Sequence, residues 1–222
     1  WYAFGLLAGN AKRILALDGT PGGTRTLASF TGTVWAPFVK NGPSLFFGFG
    51  PTGQSQGLGI LDLDTPDSAR MLVSGNWAPT AAFRDGVLAY NSTQRAIRYI
   101  SRTGAIAELG PYAVADPAVL GDRAFFFGAT EGHGRELMVT DGTPGGTRLF
   151  MDINPGVLGS YPIWIRSIGG RLYFAALSAD RNVDAQTPPA FLWHTAEDKG
   201  VPLGEMVNGL LKREIQMMES VK

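Results

Sequence analysis

Asp18-Gly-Thr-Pro-Gly-Gly-Thr-Arg25 and Asp141-Gly-Thr-Pro-Gly-Gly-Thr-Arg148 are the same eight residues, repeated at an offset of 123 positions. Identity at a fixed offset is typical of a repeat architecture, in which one structural unit is copied along the chain. In each copy the Asp side chain can accept hydrogen bonds from backbone N–H groups two residues on, and Gly tolerates a positive φ. Asp18, Gly19, Asp141 and Gly142 are therefore predicted to be structural turn residues, and Asp-Gly indicates a type I′ hairpin.

Two further markers show that this offset contains three periods. A short apolar run ending in an aromatic residue recurs at intervals of 43, 43, 36 and 48 residues, and the final aromatics are Phe4, Phe47, Tyr90, Phe126 and Phe174. A proline opens each unit, at Pro37, Pro79, Pro117 and Pro162. A decayed copy of the octapeptide at 61–70 aligns Asp64 with Asp18. The repeat unit is therefore about 41 residues long.

Local signals within one unit are all those of β-structure. Residues 114–153 hold four short apolar or alternating runs, separated by turn residues at 121–122, 131–134 and 141–142. In the third run, the alternation places Leu137 in the core and Glu136 outside. Four short antiparallel strands describe a propeller blade, whose apolar face must be buried by its neighbours. The predicted fold is therefore all-β: a β-propeller of about five four-stranded blades, with units at about 1–33, 34–75, 76–113, 114–159 and 160–202, the first beginning mid-unit.

The stretch from Arg135 to Gly156 carries a resemblance to a known family. Its residues Glu136-Leu-Met-Val-Thr-Asp-Gly-Thr143, followed by Ser160-Tyr-Pro162 and by Gly169-Gly-Arg-Leu-Tyr-Phe-Ala-Ala176, resemble the ELWxxDGT repeat of large bacterial secreted and surface proteins, with Met138 at the usual Trp position. The resemblance implies a propeller-like β-array that is extracellular, at the cell surface or periplasmic. It implies no catalytic residues.

Composition excludes several classes of function. Nineteen Lys+Arg against nineteen Asp+Glu give no net charge, which disfavours nucleic-acid binding through a general basic field. The absence of cysteine excludes disulfides and thiolate metal sites. No apolar run reaches the roughly 18 residues that a membrane span requires. The chain opens at Trp1, so we expect any N-terminal targeting segment to have been removed already.

Candidate ligand-binding residues cluster at one end of the predicted ring. Connections between the second and third strands of a blade, and those between blades, fall on the same end. This places Trp35, Trp77, Glu131, His133 and Tyr161 there, where aromatic residues with polar neighbours suit a sugar ring or a protein partner. The alternative for the aromatics is that they wedge between blades, which the repeated Trp-Ala-Pro at 35–37 and 77–79 favours.

Catalytic and metal sites have weaker support. Glu131, Asp116, Asp180 and Asp184 fall in connections that could share one face, so a carboxylate pair of the glycosidase kind is an alternative. No Gly-x-Ser-x-Gly elbow occurs, and His194 is interpreted as a structural strand histidine. No cofactor is predicted; calcium at Asp18 and Asp141 is the one metal hypothesis, although each octapeptide offers a single carboxylate where calcium takes six to eight oxygens.

The C-terminal end departs from the repeat. Apolar residues at steps of three and four predict an amphipathic helix over 203–219, which would cap the last blade or dock onto a partner. Residues 199–215 also resemble the final helix region of ribbon-helix-helix repressors, but the charges there are balanced. The favoured function is a non-catalytic recognition or scaffold module that binds a protein or glycan through propeller loops. A carbohydrate-active enzyme, and an accessory subunit docked through the helix, are the alternatives.

Overall fold

The computed structural model describes residues 2–6, 11–20, 22–53, 55–110, 113–176 and 191–194, and this part of the chain is all-β. The helix predicted at 203–219 and the carboxylates Asp180 and Asp184 lie outside the described residues. The strands are β1 (Tyr2–Leu6), β2 (Ala11–Leu17), β3 (Thr24–Asn41), β4 (Ser44–Pro51), β5 (Gly57–Asp62), β6 (Arg70–Ser74), β7 (Trp77–Phe83), β8 (Gly86–Asn91), β9 (Ala96–Ser101), β10 (Ile106–Glu108), β11 (Ala113–Leu120), β12 (Arg123–Thr130), β13 (Gly134–Thr140), β14 (Arg148–Met151), β15 (Ile163–Ile168), β16 (Arg171–Ala176) and β17 (Phe191–His194).

Consecutive strands are hydrogen-bonded neighbours within every sheet, so each sheet is an antiparallel meander. Sheet 1 is formed by β1, β2 and residues 24–31 of β3. Sheet 2 contains residues 32–41 of β3, followed by β4, β5 and β6. Sheets 3, 4 and 5 are β7–β10, β11–β14 and β15–β17. The chain therefore builds one meander after another, as expected for tandem β-units.

The long strand β3 joins sheets 1 and 2 without a loop between them. Gly32 marks the crossing, with a φ of +132° that residues with a side chain rarely adopt. A Cβ at this position would overlap the carbonyl oxygen of Gly50 on the neighbouring strand. Glycine is therefore required where the strand changes partners from β2 to β4.

Each of the middle sheets buries both of its faces, because successive side chains along a strand point to opposite sides. Phe46 packs toward sheet 3 while its neighbour Phe47 packs toward sheet 1. In the same way, Phe126 packs toward sheet 3 and Phe127 toward sheet 5. In the described residues, four apolar clusters thus join the five sheets pairwise in chain order. This dependence of each sheet on its neighbours is what the repeat predicted.

The opening strand of each of sheets 2 to 5 carries a β-bulge near its unit's proline. Proline cannot donate a ladder hydrogen bond, and a bulge leaves one residue unpaired, so the two features suit each other. The register shifts lie between Trp35 and Val39, Pro79 and Ala81, Val114 and Ala118, and Ile163 and Arg166. The prolines that the sequence shows as unit markers therefore lie at a recurrent irregularity of the strands.

Candidate functional site

The turn between β12 and β13 and the connection between β14 and β15 lie at the same end of sheet 4. Residue Gly159 of the connection forms a parallel bridge with Arg135, and the Ser160 N–H donates to the Arg135 carbonyl at 3.1 Å. The Asn154 side-chain amide donates to the Gly159 carbonyl at 2.7 Å. The connection is thereby folded back over the beginning of β13.

Glu136 holds this connection in place, and the prediction that it lies outside is wrong. Its side chain is fully buried, and its carboxylate accepts hydrogen bonds from the backbone N–H groups of Ile153 at 3.0 Å and Asn154 at 3.1 Å. The Ser160 hydroxyl donates to it at 2.6 Å. Strand alternation misplaces Glu136 because it describes the strand and not the segment that returns to cover it.

Burial raises the pKa of the Glu136 carboxyl, and the hydrogen bonds from Ser160, Ile153 and Asn154 act in the opposite direction. A buried carboxylate is tolerated only where its oxygens are satisfied, which these three donors achieve. Glu136 is thus a structural residue that fixes the shape of the connection.

His133 and Asp152 form a pair beside this network. The imidazole Nδ1 lies 2.8 Å from Asp152 Oδ2, while the other carboxylate oxygen, Oδ1, is buried without a hydrogen-bond partner. The His133 side chain is 44% exposed, so the ring reaches the surface. Within the described residues, no hydroxyl group is hydrogen-bonded to His133.

Exposed apolar side chains are concentrated on the same connection and the strand after it. In the described part of the chain, six large hydrophobic residues are exposed, and five of them fall between Val157 and Ile168. Val157 and Trp164 have 76% and 74% of their surface exposed. The Arg135 guanidinium lies over the Tyr161 ring, 5.7 Å from its centroid. We call residues 157–164 the apolar segment.

The five predicted ligand-binding residues are only partly brought together. Glu131, His133 and Tyr161 lie on the turn and the connection at this end, and Glu131 is exposed. Trp77 is buried between sheets 2 and 3, and its indole N–H donates to the Ser74 carbonyl at 3.0 Å. Trp35 is half-buried with its ring over Gly48. The two tryptophans therefore pack within the sheets, as the wedge alternative states for Trp77, rather than present open faces.

Sequence reasoning missed Arg135, Glu136, Asp152 and Trp164. One signal was available: Glu136 directly precedes the apolar run Leu137-Met-Val139, and Asp152-Ile-Asn-Pro-Gly156 follows later as a polar, turn-forming segment. A buried acid needs backbone donors, and a turn-rich segment with Ser160 nearby can supply them.

The octapeptide aspartates form the same local bonds in both copies. Asp18 Oδ1 accepts from the Thr20 N–H at 2.8 Å, and Asp141 Oδ1 accepts from the Thr143 N–H at 2.9 Å. The threonine hydroxyl also donates to each, at 2.7 Å in both copies. These bonds lower the pKa of both carboxyls, chiefly the backbone bond at Asp18 and the side-chain bond at Asp141.

The type I′ hairpin prediction is wrong. Residues 18–23 and 141–147 form longer loops between the strands, and at the Asp-Gly pair only the glycine has a positive φ, +93° at Gly19 and +89° at Gly142. A type I′ turn requires a positive φ at both central residues. Here the Asp side chain closes the loop in place of the tight backbone turn.

The described side chains do not assemble a metal cluster. No group of three or more His, Asp or Glu residues among them is placed to hold a metal ion. The side chains of Asp116 and His194 lie outside the description. No helix in the described part has the length and hydropathy to span a bilayer.

No protein-family model matches the chain, and no curated protein sequence matches it. Among solved structures, it is similar to a prolyl endopeptidase, with 14% identity, a TM-score of 0.55, and 90% of this chain aligned to 32% of that one. At this identity the likeness concerns the fold alone.

Two β-propeller proteins also show similarity. TolB from Acinetobacter baumannii has 15% identity and a TM-score of 0.43, covering 76% of this chain and 46% of that one. BamB from Moraxella catarrhalis has 17% identity and a TM-score of 0.43, covering 85% and 59%. The chain thus spans between 32% and 59% of the length of these three structures.

Proposed function

We propose that the chain is a propeller-type recognition module whose protein partner binds the apolar segment. The observation that carries this proposal is that the apolar segment holds four of the six exposed large hydrophobic side chains in the described residues, namely Val157, Leu158, Tyr161 and Trp164. Concentrated apolar exposure on a protein surface marks an interaction site, whereas single exposed residues do not. Tyr and Trp are also the residue types that dominate binding energy at protein interfaces.

The connection is built to present this segment in one conformation. Glu136 fixes Ile153, Asn154 and Ser160, so the chain on both sides of Val157 and Leu158 is held to β13. A surface that is ordered before binding loses less conformational entropy when the partner arrives. The buried network therefore supports a binding role for the residues that it leaves exposed.

The chemistry of the segment suits a protein better than a sugar. Val157 and Leu158 are aliphatic and have no flat face for a sugar ring, and Arg135 already covers one face of Tyr161. Arg135 contacts Tyr161, and His133 and Glu131 lie at the same end of sheet 4, so both signs of charge occur at this end. An apolar centre with a polar, charged rim is the usual anatomy of a protein interface.

A glycan partner is the second candidate, favoured by Trp164. Its indole is 74% exposed, and its φ of +52° is unusual for a residue with a large side chain. Exposed Trp faces stack on sugar rings. In this case Trp164 carries the affinity and Val157 contributes little.

The remaining parts of the proposal come from the sequence. They are closure of about five units into a ring, membership of the ELWxxDGT class, and a location outside the cytoplasm or at the cell surface. Their support is the octapeptide repeat, the succession of meanders and the resemblance over 135–176. Docking through the segment 203–219 and the carbohydrate-active alternative also stay predictions, and no catalytic role is proposed for His133.

Three variants test the binding surface. Val157→Asp and Trp164→Ala alter the apolar segment, and Ile106→Asp is the matched control, because Ile106 is 45% exposed on the edge strand β10 of sheet 3. The full chain and each variant are used to capture proteins from a native extract, and the captured protein is then purified and titrated. We expect Val157→Asp to weaken binding at least about tenfold, the loss for a buried hot-spot residue, and Ile106→Asp to leave it unchanged.

A glycan array on the same variants separates the two candidates. Glycan binding that is lost in Trp164→Ala and kept in Val157→Asp would replace the protein partner by a sugar. Equal binding by wild type, Val157→Asp and Ile106→Asp to every captured partner would overturn the proposal.

A further inference from the structure

A groove of 1210 Å³ lies between sheets 3 and 4, and none of the residues of the apolar segment line it. Its apolar wall is formed by Phe126 and Met138, which belong to the cluster between these sheets, together with Leu109 and Leu149. Polar and charged side chains line the rest of it, and they are Gln94, Arg98, Glu108, Thr130, Glu131, Thr147 and Arg148. An apolar cavity with a few convergent polar groups is the usual form of a small-molecule site.

Two residues that line this groove each carry a buried polar atom without a hydrogen-bond partner. Among the described residues only three buried side-chain nitrogen or oxygen atoms lack one, and two of these three, Arg98 Nη1 and Thr130 Oγ1, belong to residues that line the groove. Native proteins pair nearly all such groups, so an unpaired donor beside a cavity points to a missing acceptor. The Arg98 side chain is only 9% exposed.

A carboxylate already contacts this guanidinium. Arg98 Nη2 lies 2.9 Å from Glu108 Oε2, and it donates to Gln94 Oε1 at 3.3 Å. The Glu108 side chain is 71% exposed, so its charge is well solvated and its contact with Arg98 contributes little stability. Glu108 can therefore turn outward into water and leave the planar donor pair of Arg98 to another acceptor.

We propose that this groove binds a small carboxylic acid with an apolar body. The ligand carboxylate takes both guanidinium nitrogens of Arg98 in place of Glu108, in the bidentate geometry that arginine favours. The apolar body lies along Phe126 and Met138. Arg148 adds a second positive charge, and Glu131 is the remaining carboxylate that faces the groove. The proposal does not rest on the partner surface proposed above, because Arg98, Phe126 and Met138 lie outside residues 157–164.

Substitution of Glu108 gives a test in which the expected result is tighter binding, and a misfolded protein would not bind more tightly. Removing its charge frees Arg98 and removes repulsion of the ligand, so Glu108→Gln is expected to bind a carboxylate more tightly than wild type. Asp122→Asn is the control, because it also removes one negative charge from sheet 4's surroundings but lies outside the groove. Arg98→Met removes the carboxylate partner while keeping most of the side chain's apolar length.

The experiment is isothermal titration of the full chain with octanoate and with octanamide, which share the apolar body and differ in charge. We expect octanoate to bind wild type at least about tenfold more tightly than octanamide, and Glu108→Gln to tighten octanoate by about three- to tenfold. Asp122→Asn should match wild type. Arg98→Met should bind the two probes equally, with circular dichroism showing whether it is folded.

Two results would overturn the proposal. One is equal affinity of wild type for octanoate and octanamide, including no measurable binding of either. The other is a Glu108→Gln variant that binds octanoate no better than Asp122→Asn does.

Discussion

The two copies of the octapeptide have identical sequences and share the bonds from Thr to Asp, yet they lie in different surroundings. The copy at 18–25 is open: a Cβ on Gly19 would meet no atom within 4 Å. The copy at 141–148 packs against sheet 3, where a Cβ on Gly142 would lie 3.0 Å from Phe83. The hydroxyl of Thr140, at the position of Leu17 in the first copy, also donates or accepts within the second loop.

The segments after the two copies differ still more. After Arg25 the chain continues as one strand that crosses from sheet 1 to sheet 2. After Arg148 the strand ends at Met151, and the connection returns to β13, where Glu136 holds it. The position that matches Glu136 in the first unit is Arg13, which is exposed. The local sequence thus determines the conformation of the loop, whereas the buried Glu136 upstream determines where the following segment packs.

Replacing Glu136 should produce the largest difference in stability between the two units. Glu136→Ala removes the acceptor of three hydrogen bonds and leaves two buried backbone N–H groups unpaired, so we expect a loss of about 2–4 kcal/mol in the free energy of unfolding. Arg13→Ala, the matched change in the first unit, should cost about 0.5 kcal/mol or less. Urea denaturation of both variants measures the difference, and equal losses would show that the connection does not depend on Glu136.

Substitutions of the two loop glycines, Gly19 and Gly142, should also differ in their effect on the free energy of unfolding, but by a smaller amount. Gly19→Ala and Gly142→Ala both place a side chain at a positive φ, which costs about 1 kcal/mol or somewhat more. Only Gly142→Ala also presses on Phe83 of sheet 3, so its loss should be larger by about 0.5–1 kcal/mol. Thermal or urea unfolding of the pair gives the comparison. A larger loss at Gly19 would mean that the packing against sheet 3 is not a source of stability.

The smallest expected effects concern the pH dependence of the unfolding free energy. This dependence should differ between Asp141, in the second copy, and Glu136, which precedes that copy. The pKa of Asp141 is lowered, so its contribution to stability is present above its ordinary value of 3.8 and is lost as the pH falls through the folded pKa. The pKa of Glu136 is raised above 4.5, so its contribution is full below that value and declines as the pH rises through the folded pKa. The stability deficit of Asp141→Asn should therefore shrink in acid.

The deficit of Glu136→Ala should instead widen as the pH falls from about 7 to its ordinary pKa of 4.5. Asp18→Asn serves as the control, because its lowered pKa has the same local cause as that of Asp141 and its deficit should follow the same course. Unfolding free energies at several pH values test this. If the stability deficits of Glu136→Ala and Asp141→Asn change in the same direction with pH, the opposite pKa shifts of these two carboxyls are contradicted.

Much of the fold was predictable; the type I′ turn is a local error, whereas the misplacement of Glu136 is a non-local one. Repeat spacing, the succession of antiparallel strands and the burial of Leu137 depend on patterns within a few residues. In the decayed copy at 61–70, Asp62 and not Asp64 accepts the local hydrogen bond, since the Asp64 N–H donates to Asp62 Oδ1 at 3.0 Å. Pairing of β5 with β4 sets this register, and sequence similarity over ten residues does not contain it.

The candidate site was less accessible to sequence reasoning. Glu131, His133 and Tyr161 were placed at one end because turns between neighbouring strands must lie there. The partners that define their chemistry, Asp152 for His133 and Arg135 for Tyr161, come from elements whose proximity depends on the fold of the connection.

The amino-acid sequence alone determined the repeat, the β-character and the Asp-Thr bonds of both octapeptides, because each depends on residues that are neighbours along the chain. Tertiary structure decided that Glu136 is buried, that Trp77 fills a space between sheets, and that Arg98 lines a groove. These outcomes depend on which segments pack together, and for Glu136 the hydrogen-bond partners are 17 to 24 residues away. A pattern with a period of two residues specifies the face of a strand, whereas the contacts that cover that face are set by the folded chain.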